Sequence, residues 1–464
     1  MTWPGSSAAL SCGLWLGCAA CSSTQEPVAL CVKDDGYRGI WYSNQPSGDE
    51  YVYKYSGGLG TYPSNHYPFA VYAKAVDKTF FCYGGRSPER NELLHMVSYY
   101  DHATGLVPRP TILLNKQTDD AHDNPVIALD EGGHVWIFSS SHGTARPSYI
   151  HRSTEPYSID AFEHVRTTNF SYPVPWWVPG HGFLLIHTRY TGGRMVYQWR
   201  SPDGVSWDEG TRLFGIEQGH YDVSGAQGGR VGVALNYHPE PLGLNWRTNL
   251  YYVETDDGGE TWHTAQGEPL ALPVTEVRSP ALVRDYQAEG LLVYLMDLVY
   301  DAEGHPIIVY VTSRGYESGP RNMPRSWTTA RWTGNEWAFG GTIVSDSNYD
   351  VGSLYIEGER LWRLIGPTEP GPQPYNPGGE IAMWVSTDLG RTWMMERQLT
   401  RDSPYNHTYV RRPVDAHPAF YAFWADGHAR QPSESRLYFC TREGEVYRLP
   451  THMEGDFAQP EPVP

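Results

Sequence analysis

At 464 residues, with Gly 48, Pro 36, Tyr 33 and Trp 17 and only 19% charged residues, the chain has the composition of a turn-rich, aromatic-rich globular protein and not of a disordered or fibrous one. Its length admits two or three average domains, although closed all-β folds exceed that size without dividing. A formal charge of −18 argues against nonspecific binding to nucleic acid or an anionic membrane, yet a cleft on an acidic protein can still carry a local positive potential.

Residues 1–23 carry no charge and include Leu14-Trp15-Leu16-Gly17-Cys18-Ala19-Ala20-Cys21. This reads as an export signal with a lipoprotein-type cysteine, so the expected location is secreted, or a surface or periplasmic lipoprotein. No later stretch has the run of apolar residues a transmembrane helix needs. After the leader only Cys31, Cys82 and Cys440 remain, with no Cys-x-x-Cys pair, which argues against a zinc framework. One disulfide stays compatible with export if the chain ends meet.

From there the chain alternates short apolar runs with Gly, Pro and Asn, as in Val135-Trp136-Ile137-Phe138, Phe183-Leu184-Leu185-Ile186, Val231-Gly232-Val233-Ala234-Leu235 and Leu250-Tyr251-Tyr252-Val253. These read as strands, with no long amphipathic helix. A turn recurs among them. Thr255-Asp256-Asp257-Gly258-Gly259-Glu260-Thr261-Trp262 matches Ser386-Thr387-Asp388-Leu389-Gly390-Arg391-Thr392-Trp393, with a shortened copy at Ser201–Trp207 and a decayed one at Trp332–Trp337. The pattern resembles the Asp-box of sialidase-like propellers, which is specific for fold and silent about chemistry. Repeats of this length with four strands each describe propeller blades. The expected fold is therefore all-β, a single seven-bladed β-propeller over residues 35–450 followed by a 451–464 tail. The blades should begin near residues 62, 120, 170, 217, 275, 345 and 405, with Tyr37-Arg38-Gly39-Ile40-Trp41-Tyr42 supplying a strand to the last blade to close the ring. Closure removes exposed sheet edges, and a monomer is the simplest expectation.

If the Asp turn joins the third and fourth strands of a blade, then the turn between the second and third, and the loop leading into the first, lie on the opposite face. That face collects His122, then His142 and Arg146, then Tyr190 and Arg194, then His220, Tyr221, Tyr237, His238 and Arg247. His134, His151, His263 and His305 fall on strands or peripheral turns and read as structural, and the Trp176-Trp177 pair reads as packing. A set of His, Tyr and Arg suits β-elimination at a uronate. Arg neutralises the carboxylate, a base such as neutral His removes the adjacent proton, and an acid such as Tyr protonates the leaving 4-oxygen. The set needs no metal or other cofactor.

The motifs Tyr37-Arg38-Gly39-Ile40-Trp41, Asp119-Asp120-Ala121-His122-Asp123-Asn124-Pro125, Ser139-Ser140-Ser141-His142-Gly143, Asn236-Tyr237-His238-Pro239 and Arg247-Thr248-Asn249-Leu250-Tyr251-Tyr252 resemble the ulvan lyases of the BNR-4-repeat group, polysaccharide lyase families 24 and 25. The resemblance implies an acidic, sulfated polysaccharide as substrate. It implies His122 and Tyr190 as acid and base in an order left open, Arg194 on the carboxylate with Arg200 as a competing match, and His142, Tyr237 and Arg247 as substrate-binding residues. It also allows a structural metal ion, for which the sequence offers no assignable ligands. Two alternatives compete. A sialidase-type glycoside hydrolase would need an Arg triad and a Tyr nucleophile with a Glu partner, but Arg38 lies in Tyr-Arg-Gly-Ile and the rim holds more His than carboxylates. A non-catalytic carbohydrate-binding propeller would use the same aromatics and Arg.

Overall fold

A computed structural model describes residues 29–59, 65–88 and 90–464. The export signal expected over 1–23 and the expected start of the first blade near 62 lie outside these residues.

Seven antiparallel sheets of four or five strands follow one another along the chain. Their first strands are Ala70–Ala73, Pro125–Leu129, Ser171–Val178, Asp222–Gln227, Leu292–Tyr300, Ser353–Ile356 and Asn406–Arg411. From blade 1 to blade 6 the first strands of neighbouring blades touch, which places them around the central axis. Blades bury both faces of each sheet against their neighbours. Within Arg230–Tyr237, Val231, Val233 and Leu235 pack toward blade 3 while Ala234 packs toward blade 5. Both side-chain sets of a strand are therefore apolar.

The Asp turns do the work their composition foretells. The Asp257 carboxylate accepts from the backbone N–H of Glu260 (2.9 Å) and Thr261 (3.0 Å) and from the Thr261 hydroxyl (2.6 Å). Asp388 repeats this with Thr392, and Asp203 with Val205 and Ser206. The turn tryptophan then bridges blades, as the Trp262 indole donates to Gln198 Oε1 in blade 3 (3.0 Å) while the Gln198 amide donates to the Gly259 carbonyl (2.7 Å).

Three expectations change. Blade 5 begins at Leu292 and not near 275, because Leu282–Arg284 is the outer strand of blade 4, reached by a long excursion after Trp262. The segment 37–42 adds no strand to the last blade. Gly39 instead forms single bridges to Gly85 of blade 1 and Ser435 of blade 7, and Tyr42–Pro46 turns back to pair with Tyr53–Gly57 as a separate hairpin. The tail does the fastening: Phe457–Ala458 pairs with Val107–Pro108 beside blade 1 while Glu461–Val463 extends blade 7. Finally, Cys31, Cys82 and Cys440 are free thiols, with Cys82 and Cys440 buried in separate apolar clusters.

Candidate active site

The first part of the site forms where the chain enters blade 2. Asp120 caps the short 3-10 turn Ala121–Asp123, accepting from the backbone N–H of His122 (3.0 Å). Its two carboxylate oxygens are also shared between two imidazoles, with His122 Nδ1 at 2.5 Å from Oδ1 and His142 Nδ1 at 2.7 Å from Oδ2. The rings stack with centroids 3.8 Å apart and planes 11° apart. An ionised carboxylate only accepts, so each imidazole donates its Nδ1–H, and in the neutral form of such a ring Nε2 carries the lone pair. Burial would raise the Asp120 carboxyl, but donation from His122 and His142 outweighs it and holds the group well below the usual range. Burial also lowers the pKa of His122 in spite of Asp120 beside it, which favours the neutral imidazole.

Asp123 braces this arrangement from beneath. Fully buried, it accepts from Arg146 (2.7 and 3.0 Å) and from the backbone N–H of His142 (3.2 Å), with Lys116 Nζ at 3.4 Å. Arg146 also reaches Asp120 Oδ2 at 3.1 Å. Placed on the rim by sequence, Arg146 thus ties the two aspartates together.

Blade 3 supplies the second part. Tyr190 and Arg194 end adjacent strands and are direct cross-strand partners, joined by Thr191-Gly192-Gly193 with Gly192 at φ +84°. The short loop thereby sets the Arg194 guanidinium 5.2 Å over the Tyr190 ring, and the His142 ring lies beside it with centroids 6.3 Å apart. Burial raises the Tyr190 phenol above its ordinary value, and Arg194 opposes that shift without overcoming it. Tyr190 holds its proton at neutral pH.

Blade 4 completes the surface. Arg194 and Arg247 flank the same ring, that of Tyr221, at 5.9 and 4.7 Å. Arg247 also lies over Tyr294 (4.8 Å) and Tyr349 (5.6 Å). His238 meets Tyr221 at 5.0 Å, and burial together with Arg247 and Arg194 keeps it well below the usual imidazole range. Tyr172 lies between the two halves, 5.7 Å from His122 and 5.6 Å from Tyr221. The result is a concentration of positive charge on an acidic protein.

His122, His142, Tyr190, Arg194 and Arg247 therefore share one region, while Tyr237 does not join them. Its ring packs against Tyr251 in the core between blades 3 and 4, and its hydroxyl donates to Gln287 (2.6 Å). The neighbouring His238 is the residue that reaches the cluster. Arg200 pairs with Asp208 (3.2 Å) and approaches Glu260 (3.9 Å) at the Asp-turn end of its strand, which leaves Arg194 as the arginine beside Tyr190. His220 is structural, accepting from Ile216 N and bonding the Asn236 carbonyl. His134, His263 and His305 face Asp130, Glu254 and Asp301, and His151 is buried in blade 2. Trp176 donates to Ser224 and Trp177 packs edge-on against Phe183, so the pair serves packing. Sequence reasoning passed over Tyr172, Tyr294 and Tyr349, whose tyrosines look no different from core aromatics.

Among the described residues, two groups of side chains have spacing compatible with a metal ion, Asp120 with His122 and His142, and Asp301 with Glu303 and His305. In the first, Arg146 already donates to the carboxylate a cation would need. The second includes the exposed Glu303 on an opposite-face turn, where Arg331 donates to Asp301.

Residues 96–339 match the family described as "BNR repeat-containing family member", more than half of the chain. Ulvan Lyase-PL25 of Pseudoalteromonas sp. (strain PLSV) is 23% identical over 367 residues, covering 71% of this chain and 73% of that protein. An ulvan lyase of Nonlabens ulvanivorans is 22% identical over 329 residues, covering 61% and 66%. A solved PL25 ulvan lyase shares the fold with a TM-score of 0.67 at 17% identity over 87% of this chain and 96% of that one, as does a PL25 ulvan lyase bound to -[GlcA(1-4)Rha3S]-. On these matches, with its seven antiparallel blades, the chain belongs to the BNR repeat-containing family.

Proposed function

We propose that the protein is a polysaccharide lyase acting on ulvan, cleaving the sulfated rhamnose and uronate polymer by β-elimination at the uronate. The observation that carries this reading is the Tyr190–Arg194 cross-strand pair standing beside two imidazoles oriented by one carboxylate. The sequence relatives named ulvan lyases support the substrate class.

In this reading Arg194 binds the uronate carboxylate and lowers the cost of the carbanion-like transition state. His122, neutral and holding its Nε2 lone pair, takes the proton from the carbon bearing the carboxylate. The electron pair left behind forms the new carbon–carbon double bond as the bond to the 4-oxygen breaks. Tyr190, whose proton is retained, gives it to the departing oxygen and recovers it from solvent. His142 and Arg247 hold the sugars. Among the described residues no glutamate hydrogen-bonds the Tyr190 hydroxyl, which disfavours a sialidase-type hydrolase with Tyr190 as its nucleophile. Because the polymer is extracellular in scale, the same reading carries a secreted or surface location, tested by fractionating cells that express the full chain.

Incubating the purified protein with ulvan and following ultraviolet absorbance tests the reaction. Rising absorbance from the conjugated double bond supports elimination, whereas new reducing ends without absorbance indicate hydrolysis.

A further inference from the structure

The hairpin formed by Tyr42–Pro46 and Tyr53–Gly57 belongs to no blade, yet it lies across the face that carries the cluster. Its contacts run around the ring. Asn376 of blade 6 donates to the carbonyls of Tyr51 (2.9 Å) and Tyr53 (3.2 Å), Arg430 of blade 7 lies 5.4 Å over Tyr51, and Tyr55 is buried edge-on against Tyr349 at 4.6 Å. Tyr349 is one of the rings beneath Arg247. The next residue back from Tyr55 is a lysine. Lys54 hydrogen-bonds Asn245, in the loop that leads to Arg247, and its ammonium lies 5.0 Å from the Tyr55 ring and 5.3 Å from the Tyr316 ring.

A half-buried ammonium held by an amide and two aromatic rings, with an arginine as its charged neighbour, is costly in isolation. Lys54 forms no ion pair with a carboxylate among the described residues. Burial first, and then Arg247, pull the Lys54 ammonium down to about 7, and Glu317 offsets only part of this. An oxyanion beside both cations would relieve the desolvation and the repulsion together.

We propose that Lys54 and Arg247 form an oxyanion subsite, which takes the charged group of the sugar adjoining the one held by Arg194. This rests on the lyase reading above and extends it to the neighbouring sugar. The shared chemistry is a sulfate ester or a carboxylate, presented one ring along the Tyr221 platform from Arg194. The hairpin's role is then to complete the binding surface from outside the blades.

The test is calorimetric binding of size-matched ulvan oligosaccharides, native and chemically desulfated, to Tyr190→Phe and to Tyr190→Phe with Lys54→Met or Lys54→Arg. A sulfate in the subsite predicts about tenfold weaker binding of the native oligosaccharide on Lys54→Met, substantial retention on Lys54→Arg, and little effect of Lys54→Met on the desulfated one. A similar loss with both oligosaccharides, with melting temperature unchanged, assigns the subsite to a carboxylate. Equal affinity of the Lys54→Met and parent proteins for both ligands overturns the proposal, as does an equal loss accompanied by a lowered melting temperature. The lyase reading fails separately, through absence of double-bond absorbance in the wild-type protein.

Discussion

His122 and His142 on one face of the propeller, and His102 and His417 on the other, hold their ring centroids at the same 3.8 Å separation. Their surroundings differ. Asp120 binds Nδ1 of both rings in the first pair, and Tyr190 and Arg194 stand next to it. In the second, His102 bonds the Thr79 hydroxyl, His417 accepts from the backbone N–H of Ala419, and Tyr72 packs on both rings. Among the described residues, neither ring of that pair donates a hydrogen bond to a carboxylate. Burial and then His417 bring His102 down to about 4, so it is neutral too, but around it lie the Thr79 hydroxyl and the Tyr72, Tyr100 and His417 rings. Closeness of two histidines is therefore a weak guide to function. The shared acceptor and the adjacent phenol and guanidinium are what distinguish the His122–His142 pair.

The strongest way to break this comparison is to remove the proton-transfer groups. His122→Ala and Tyr190→Phe should each lower kcat by about 10² to 10⁴, and Arg194→Ala by a similar factor, measured as initial rates of double-bond formation. Next in size is Asp120→Asn. It keeps one acceptor but places an amide N–H toward the other imidazole, so kcat should fall about 10- to 100-fold with folding preserved, as judged by circular dichroism. Its pH–rate profile should also change, which a purely structural role would not produce.

The profile of the wild-type protein sharpens the account further. His122 must be neutral to act as base, and its pKa lies below the ordinary imidazole value of 6.5. The rate should therefore persist below pH 6.5 and fall only as the pH drops through the lowered value. Tyr190 must be protonated to act as acid, and its raised pKa puts the loss on the alkaline side above 10. Reversed assignments, with tyrosinate as base, would show activity rising through that alkaline range. The smallest effects belong to the opposite face. His417→Ala and Arg200→Ala should leave kcat/KM within about twofold, while Asp257→Ala should cost about 1–2 kcal/mol of stability through its lost turn hydrogen bonds, read as a lowered melting temperature.

Much of this is legible in the sequence, and the particular residues show why. Asp257, Gly259 and Trp262 announce a turn whose geometry they largely satisfy themselves, so the blade repeat and the sorting of loops to two faces followed from sequence. The pairing of Tyr190 with Arg194 across a three-residue turn was accessible in the same way. Tyr237 was misplaced even though strand alternation groups it with Val231, Val233 and Leu235, the residues it packs with. Its neighbour His238 takes the opposite direction and reaches Tyr221. The share of Asp120 between two imidazoles was hidden, because it depends on how the loop at 142 folds back over the turn at 120. The hairpin bearing Lys54 was hidden too, since no blade rule governs a segment outside the blades. Ring closure was expected, but its means differ, because single-residue bridges at Gly39 replace the ladder expected there and the tail supplies the pairing.

The central claim is that the Tyr190, Arg194 and His122 cluster performs elimination. The most direct test follows ultraviolet absorbance and reducing ends together on ulvan, for wild type, Tyr190→Phe and His417→Ala side by side. The account predicts matched growth of both signals in wild type and His417→Ala, and loss of both in Tyr190→Phe. Reducing ends growing without absorbance, or full activity in Tyr190→Phe, would contradict it.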